Sequence, residues 1–289
     1  MRSVTPLLAS VLGFALVSLA APVRAQELPV TTRTMALGGG TYGSAMSTAA
    51  VYANPAMMGL ARTYHIDSNG LYSPNNSRWM LGGTVVDSTR RVGAGVSYNY
   101  GSVEDEDRSN HDARLALSLA LGDSVALGLT GRYLSVGAPN NGQSNVAFSG
   151  FTLDAGLAVR PIRALTLGVT GFSLTSPETR ISPLAVGAGF GLNLGEALNL
   201  VGDSYWDFQT FGEARARWSG GVEVLLGQAP LRLGYAWDDT RGAQPVHVLT
   251  AGIGYLDPVW GVELSMRQEV AGGNDTTLLV NLRRFVQVN

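Results

Sequence analysis

The chain has 289 residues, of which 37 are glycine and none is cysteine. Glycine therefore makes up about 13% of the chain against about 7% in an average protein, while charged residues make up 15% against about 25%. The absence of cysteine excludes disulfides, cysteine-ligated metal sites and a cysteine nucleophile. The formal net charge of −2 gives no sign of a nucleic-acid partner.

The first 25 residues have the pattern of a secretory signal peptide. Arg2 precedes an apolar stretch from Leu7 to Ala21, and small residues stand at the −3 and −1 positions of a cleavage site after Ala25. An N-terminal membrane anchor is the alternative. Past residue 25, no apolar run approaches the roughly 18 residues that a membrane helix needs, which excludes a helical membrane protein. We therefore expect residues 1–25 to be a signal peptide that is removed on export.

Residues 26–60 show no regular alternation and contain two short motifs. The first is the run Gly38-Gly39-Gly40, and the second is Asn54-Pro55-Ala56, in which Asn-Pro is a turn signal. The glycine run is not a phosphate-binding loop, because no Gly-Lys-Ser/Thr follows it and no strand precedes it. A segment of about 35 residues is too short for an independent domain. It is long enough to fold back into a barrel.

From residue 61 onward, short segments alternate apolar residues with small or polar ones. In Arg114–Leu121, for example, every second residue is leucine, and the residues between them are Arg114, Ala116, Ser118 and Ala120. A period of two predicts β-strands. Fourteen such segments cover residues 61–72, 78–87, 91–100, 112–121, 124–136, 147–160, 163–174, 184–194, 197–208, 213–226, 230–238, 245–256, 258–269 and 275–286. Most reach the 9–11 residues of a membrane-crossing strand, and an even number is typical of bacterial outer-membrane barrels.

The connections between these segments alternate in length. Short turns are predicted around Ser88–Thr89, Gly122-Asp123, Pro161-Ile162, Gly195-Glu196, Gly227–Ala229 and Asp257. Longer loops are predicted at Ser73–Ser77, Gly101–His111, Gly137–Val146, Ser176–Pro183, Gln209–Gly212, Asp239–Gln244 and Val270–Asn274. Short periplasmic turns and longer outside loops are typical of outer-membrane barrels, and aromatic residues also cluster toward both strand ends. We therefore predict an all-β fold, an antiparallel transmembrane β-barrel over residues 61–289.

Charged side chains recur on the strand face opposite to the leucines. Because arginine costs about 2–4 kcal/mol at the lipid-facing midplane, these residues are predicted to face the lumen. The predicted lumen-facing residues are Arg114, Arg132, Asp154, Arg215, Glu223, Arg232, Glu263 and Arg267, together with Arg217, Asn281 and Arg283. Two interpretations stay open. They form an ion-pair lattice that stiffens the wall, or they form a polar lining that steers a permeant.

The segment from Met35 to Ala56 resembles the N-terminal hatch of FadL-type outer-membrane transporters. It is similar also to PorV/PorQ-type proteins of the type IX secretion system, which share that barrel. The resemblance implies a fourteen-stranded barrel plugged by residues 26–60, with Asn54, Pro55 and Ala56 as the hatch turn and Gly38 to Gly40 at its start. It further implies passage of long-chain fatty acids or other hydrophobic molecules through a lateral opening in the wall. The chain departs from the pattern at Met57, where the family has glycine, and in its shorter outside loops.

The sequence shows little sign of catalytic chemistry. Its three histidines, His65, His111 and His247, are not at metal-ligand spacing, and no Gly-x-Ser-x-Gly elbow is present. A lipase built from His65 or His247 beside a strand serine is the enzymatic alternative. The acidic stretch Gly101–Asp107 lacks the EF-hand pattern and is interpreted as a solvated outer loop that cations bridge to lipopolysaccharide. We expect no enzyme activity, no metal and no cofactor.

Two functions fit these features. The first is passive uptake of hydrophobic, fatty-acid-like molecules past the hatch, which predicts an apolar pocket between hatch and wall and a bulge or gap toward the membrane. The second is a non-transporting outer-membrane component of a secretion or assembly system, which predicts stable partner proteins. A polar porin is a further alternative. In each case the expected location is the Gram-negative outer membrane, in contact with its lipid and lipopolysaccharide.

Overall fold

The computed structural model describes residues 31–103, 108–137, 148–175, 182–242 and 244–287. The predicted signal peptide lies outside the described residues. So do most of the predicted loops Gly137–Val146 and Ser176–Pro183, and residues 104–107 of the acidic stretch. No helix in the described part of the chain has the length and hydropathy of a membrane-spanning helix.

The described residues form fourteen β-strands. Their bounds are β1 Tyr64–Ser73, β2 Arg78–Asp87, β3 Val92–Val103, β4 Arg108–Ala120, β5 Val125–Val136, β6 Phe148–Ile162, β7 Leu165–Phe172, β8 Ala185–Leu194, β9 Leu198–Asp207, β10 Arg215–Leu226, β11 Ala229–Asp238, β12 Val246–Leu256, β13 Trp260–Ala271 and β14 Thr276–Phe285. Each strand pairs antiparallel with its neighbours in sequence. Strand β14 returns to pair with β1, with Leu278 opposite Tyr72, so the sheet closes into a barrel. The predicted fold class is confirmed.

The strand bounds differ from the predicted ones at a few connections. Strands β3 and β4 extend through Val103 and from Arg108, so His111 lies in a strand and not in the acidic loop. Strand β6 continues through Pro161 and Ile162, and the turn that follows is Arg163-Ala164. The turn prediction there relied on proline. Proline has no backbone N–H to donate to a neighbouring strand. A strand can therefore contain it where that hydrogen bond is not made, as at the irregular β6–β7 register between Val159 and Ile162.

Side chains alternate between an apolar outer face and a polar inner face. On β4, Leu115 and Leu117 are 54% and 49% exposed, whereas Arg114 is 3% exposed. The same alternation runs along β3, β5, β11 and β13. Exposed leucine, valine and aromatic side chains therefore form a continuous outer belt, as hydrocarbon requires. The six short turns lie at one end of the barrel, which by the convention of outer-membrane barrels is the periplasmic end.

An N-terminal plug, residues 31–60, lies inside the barrel. It contains helices α1 (Thr32–Ala36) and α2 (Ala50–Ala53) and the 3-10 turns Ser47–Ala49 and Pro55–Leu60. Helix α1 contacts β12 and β13, whereas Pro55–Leu60 contacts β4, β5 and β6 on the other side. All of its residues are buried except Gly39, Met46 and Gly59. The plug therefore crosses the lumen and supplies most of the apolar core that the barrel interior contains.

The outer belt generates a first prediction. Leu117→Arg should lower the free energy of unfolding by about 2–4 kcal/mol, because the new guanidinium would lie near the bilayer midplane. Leu121→Arg, directly after the short-turn end of the same strand, should cost only about 0–1 kcal/mol. The measurement is reversible denaturant unfolding in lipid vesicles. Equal costs at the two positions would contradict this placement of β4 in the membrane.

Candidate functional site

Asn54, the first residue of the predicted hatch turn, is fully buried. It makes hydrogen bonds within the plug and to the barrel wall. Its Nδ2 donates to the carbonyl oxygen of Tyr42 at 2.9 Å and to that of Leu157 on β6 at 3.2 Å. Its Oδ1 accepts from the backbone N–H of Ala56 at 3.1 Å, which caps the 3-10 turn that begins at Pro55. Asn54 thus satisfies two plug groups and a strand carbonyl at a fully buried position.

The wall opposite this turn is made of glycine. A Cβ atom on Gly128, Gly156 or Gly168 would collide with the backbone at Ala56, the Asn54 side chain or the Tyr42 carbonyl, respectively. The same holds around the lumen, where further inward-facing glycines meet the plug at Gly95, Gly187, Gly191, Gly221, Gly234 and Gly252. Close backbone approach is a use of glycine that no other residue can replace. This contact surface accounts for much of the high glycine content.

The run Gly38-Gly39-Gly40 forms a tight turn between α1 and the wall. Gly38 and Gly39 have φ of 93° and 94°, which residues with a Cβ rarely adopt. A Cβ on Gly40 would collide with the carboxylate of Asp203 on β9. That carboxylate accepts from the backbone N–H of Tyr42 at 2.6 Å. The turn therefore wraps around a buried strand aspartate.

The larger set of buried charges joins the plug to the wall through Arg33, Glu223, Arg232, Glu263, Arg283 and Asp67. Arg33 of the plug pairs with Glu223 at 3.1 Å, and Glu223 pairs with Arg232 at 2.5 Å. Arg232 contacts Glu263 at 2.5 Å, and Arg283 links Glu263 to Asp67. Thr48 of the plug donates to Asp67 at 2.5 Å. Three positive and three negative charges neutralise one another, which buried ions require.

A second, smaller set lies on β4, β5 and β6. Asp112 accepts from Arg114 and from Arg132, each at 2.7 Å. Asp154 accepts from the backbone N–H of Ser173 at 2.8 Å. The Arg114 guanidinium also lies over the ring of Tyr52 in the plug, 5.0 Å from its centre. This set therefore stiffens the wall and contacts the plug at the same time.

Of the ten charged residues predicted to face the lumen, seven are buried there, and Arg215, Arg217 and Arg283 are partly buried. Arg215 lies at the long-loop end of β10, pairs with exposed Glu213 at 2.9 Å and stacks on Phe211. Arg267 pairs with Glu269 on its own strand at 3.3 Å. Arg33, Asp67, Asp112 and Asp203 are also buried in the lumen and were not predicted from the sequence. The alternation of Asp67 with Asn69 in β1 is a signal that could have identified one of them, whereas Arg33 lies in a segment without periodicity.

A cavity lies between the plug and the long-loop end of the barrel, with a volume of about 160 Å³. One side is apolar and contains Met35, Leu71 and Met80. The other side carries the rings of Tyr42, Phe172 and Tyr205, whose centres are 5.6 to 6.4 Å apart. Burial raises the pKa of the Tyr42 hydroxyl, so this phenol is neutral.

The wall has irregularities but stays hydrogen-bonded around the barrel. The β12–β13 register shifts between His247 and Val248, and the β6–β7 register shifts between Val159 and Ile162. Ser173 follows β7 with φ of 54°, and the next residue, Leu174, donates to the carbonyl of Leu153 at 2.8 Å. These bulges are the places where the β-ladders of the described strands are least regular.

The histidines lie apart from one another and do not form a cluster, and His111 contacts Tyr98 and Tyr100. His65 Nδ1 contacts Ser47 Oγ of the plug, and the His65 ring packs edge-on against Phe285. His247 contacts the hydroxyl of Tyr235 at 2.6 Å on the exposed face. Among the described residues, no group of histidine, aspartate and glutamate has the arrangement of a metal site.

Comparison with known proteins identifies the fold. No family model matches the chain, and no curated protein matches its sequence. The solved structures that it resembles include the CymD monoaromatic hydrocarbon channel, with 10% identity over 91% of this chain and 99% of that chain and a TM-score of 0.70. The Pseudomonas putida toluene transporter TodX has 12% identity over 90% and 98%, with a TM-score of 0.60. A Pseudomonas aeruginosa FadL homologue has 13% identity over 89% and 98%, with a TM-score of 0.58.

The class of fold is therefore a closed antiparallel β-barrel with the apolar outer belt of membrane-spanning barrels. More particularly, the chain has the fourteen-stranded fold of the FadL-type barrels, so the resemblance suggested by the sequence is confirmed at the level of fold.

The glycine surface generates a second prediction. Because the chain has no cysteine, Ala45→Cys, at a plug position that is 2% exposed, provides a single reporter thiol. Adding Gly168→Ala should increase the maleimide labelling rate about 5–150-fold, since overpacking costs about 1–3 kcal/mol of plug docking. Gly83→Ala is the control, because its new Cβ would have only an ordinary 3.6 Å contact. Equal labelling in the two variants would show that the glycine surface does not hold the plug.

The charge lattice generates a third prediction. Glu223→Gln should lower the free energy of unfolding by about 3–5 kcal/mol, because Arg33 loses its carboxylate and Arg232 keeps only one. Glu213→Gln should cost about 0–1 kcal/mol, since Glu213 is 66% exposed in its pair with Arg215. Denaturant unfolding of both variants checks this. A small cost for Glu223→Gln would mean that the plug is held by shape alone.

Proposed function

We propose that this barrel lets small hydrophobic molecules cross the outer membrane by passive movement past the N-terminal plug. The observation that carries the proposal is the cavity between the plug and the long-loop end, with its apolar side at Met35, Leu71 and Met80 and its aromatic side at Tyr42, Phe172 and Tyr205. A cavity with apolar walls and a few polar groups is the usual form of a binding site for a small molecule.

The size of the cavity supports a ring-sized permeant. An apolar cavity of about 150 Å³ in another protein binds benzene, and the volume here is about 160 Å³. The names of two structures with this fold, a monoaromatic hydrocarbon channel and a toluene transporter, agree with that size class. Fatty-acid-like molecules, the substrates expected from the sequence, would fit only in part, because an extended long chain exceeds this volume.

The plug is proposed to act as the hatch. Its turns at Gly38–Gly40 and Asn54–Ala56 contact glycines of the wall and are held by hydrogen bonds. Such contacts can break when the plug moves, with little rearrangement of the wall. The charged lumen residues support the lattice interpretation more than the steering one, because their carboxylates and guanidinium groups are engaged with each other. The absence of enzyme activity, the contacts with lipopolysaccharide and the alternative role in a secretion system stay predictions.

Uptake of radiolabelled toluene tests this function. Cells without their own hydrocarbon channel should take up toluene faster with this protein than with an empty vector. Met80→Trp and Ala236→Trp should reduce the increase, because both side chains line the cavity. Ala251→Trp, which faces outward on β12, is the matched control and should leave uptake unchanged.

A heat-dependent shift on a denaturing gel would establish that each variant is folded. Two results would overturn the proposal. One is toluene uptake at the vector rate from folded wild-type protein, and the other is equal uptake by the cavity and control variants.

A further inference from the structure

Arg217 on β10 projects toward the aromatic side of the cavity. Its Nη2 donates to the hydroxyl oxygen of Tyr42 at 2.9 Å and to the carbonyl oxygen of Gly39 at 3.3 Å. Its guanidinium carbon lies 5.3 Å from the centre of the Tyr205 ring. Both hydrogen bonds start from the same nitrogen. Within the described residues, Nε and Nη1 therefore have no hydrogen-bond acceptor.

The pairing of Arg217 differs from that of the other arginines in the lumen. Each of the others has a carboxylate oxygen within 4.0 Å, as is seen at Arg33, Arg78, Arg114, Arg132, Arg232, Arg241, Arg267 and Arg283. In the described ranges of the chain, Arg217 has none. Asp238 stands opposite Arg217 in the β10–β11 register, but its carboxylate is bound by Arg241 at 2.8 Å.

Arg217 therefore has no directly bound carboxylate in this part of the protein, although the charges of Asp238 and Asp203 act on it from a longer distance. Its direct contacts are a phenol, a carbonyl and an aromatic ring, so some of its N–H groups have no acceptor, which is costly for a buried group unless a ligand or water reaches them. The cavity lining as a whole also has a positive net charge. Its charged residues are four arginines and two aspartates among the described residues, namely Arg78, Arg217, Arg241, Arg267, Asp112 and Asp238.

We propose that Arg217, together with the Tyr42 hydroxyl, binds the carboxylate of a small aromatic acid whose ring packs against Tyr205 and Phe172. The planar guanidinium presents parallel N–H donors that match the two oxygens of a carboxylate. The Tyr42 oxygen accepts from Arg217, so its own proton is directed to another acceptor. The inference rests on the proposed function and names the substrate class of the same cavity.

The volume and the rings restrict the acid to one with a compact apolar body. Three aromatic side chains within 6.4 Å of each other form a surface on which a single ring can pack edge-on or offset. Neutral hydrocarbons of the same size would use this surface without using Arg217. Benzoate and toluene are therefore a matched pair of probes, because both have one ring and only benzoate has the carboxylate.

Calorimetric binding of benzoate and toluene to the purified, detergent-solubilised protein tests the inference. Arg217→Gln should raise the dissociation constant of benzoate at least about tenfold, because charge-assisted hydrogen bonds are lost. It should leave that of toluene unchanged. Arg217→Lys should cause a smaller loss for benzoate, since the charge is kept and the planar fork is not. Tyr42→Phe, which keeps the ring and removes the hydroxyl, should weaken benzoate more than toluene.

The control is Arg215→Gln, two residues earlier on the same strand, which is paired with Glu213 outside the cavity and should change neither ligand. Equal benzoate affinity in wild type and Arg217→Gln would overturn the inference. So would parallel losses of benzoate and toluene, which would indicate a purely structural arginine. If toluene binds the wild type and benzoate does not, only the carboxylate assignment fails. If neither binds nor crosses in proteoliposomes, the proposed function fails as well.

Discussion

Hydrocarbon on the outside of the barrel determines where every polar side chain of this protein can go. A strand has only two faces, so if one is occupied by leucine, valine and aromatic side chains, the other receives all of the charge. Arg114 and Leu115 show this at adjacent positions, with one buried in the lumen and the other more than half exposed. The interior of the barrel is consequently polar, and its ions have to be neutralised by other ions or by the plug.

The plug and the strands together neutralise the charges of the barrel interior. Arg33 of the plug pairs with Glu223 on β10, and Thr48 binds Asp67 on β1, so the plug is part of the lattice that neutralises the wall. Where the plug backbone approaches the strands, the strand residue is glycine, and polar contacts such as those of Asn54 replace side-chain packing. The resulting interface combines ion pairs, a close backbone fit and an apolar cluster in which Val51 and Met58 of the plug pack with Val86 of the wall.

The cavity is the place where this pattern changes. Above the plug, rings and methionine side chains line the cavity beside the ion pairs, and Arg217 stands among them with no carboxylate oxygen within 4.0 Å in the described part of the chain. Apolar surface inside a polar lumen is unfavourable in water unless a ligand covers it. The N–H groups of Arg217 that have no acceptor match the carboxylate that we propose for that ligand. Both features of the cavity lead to one kind of molecule, a compact apolar body with a negative end.

Alternation by itself determined the fold class, the number of strands and the face on which Arg114, Arg132, Asp154, Glu223, Arg232, Glu263 and Arg267 lie. A period of two is a local property, so it can be recognised without knowledge of the rest of the chain. Asn54-Pro55 was likewise recognised as a turn by its own chemistry.

Only the tertiary structure decided which charges meet, because the partners of Arg33 and Arg283 are about 190 and 216 residues away in sequence. It also decided that the glycines of β5–β7 accommodate the plug and that Arg217 faces a cavity. These properties depend on the closure of the barrel, which places distant strands around one short segment.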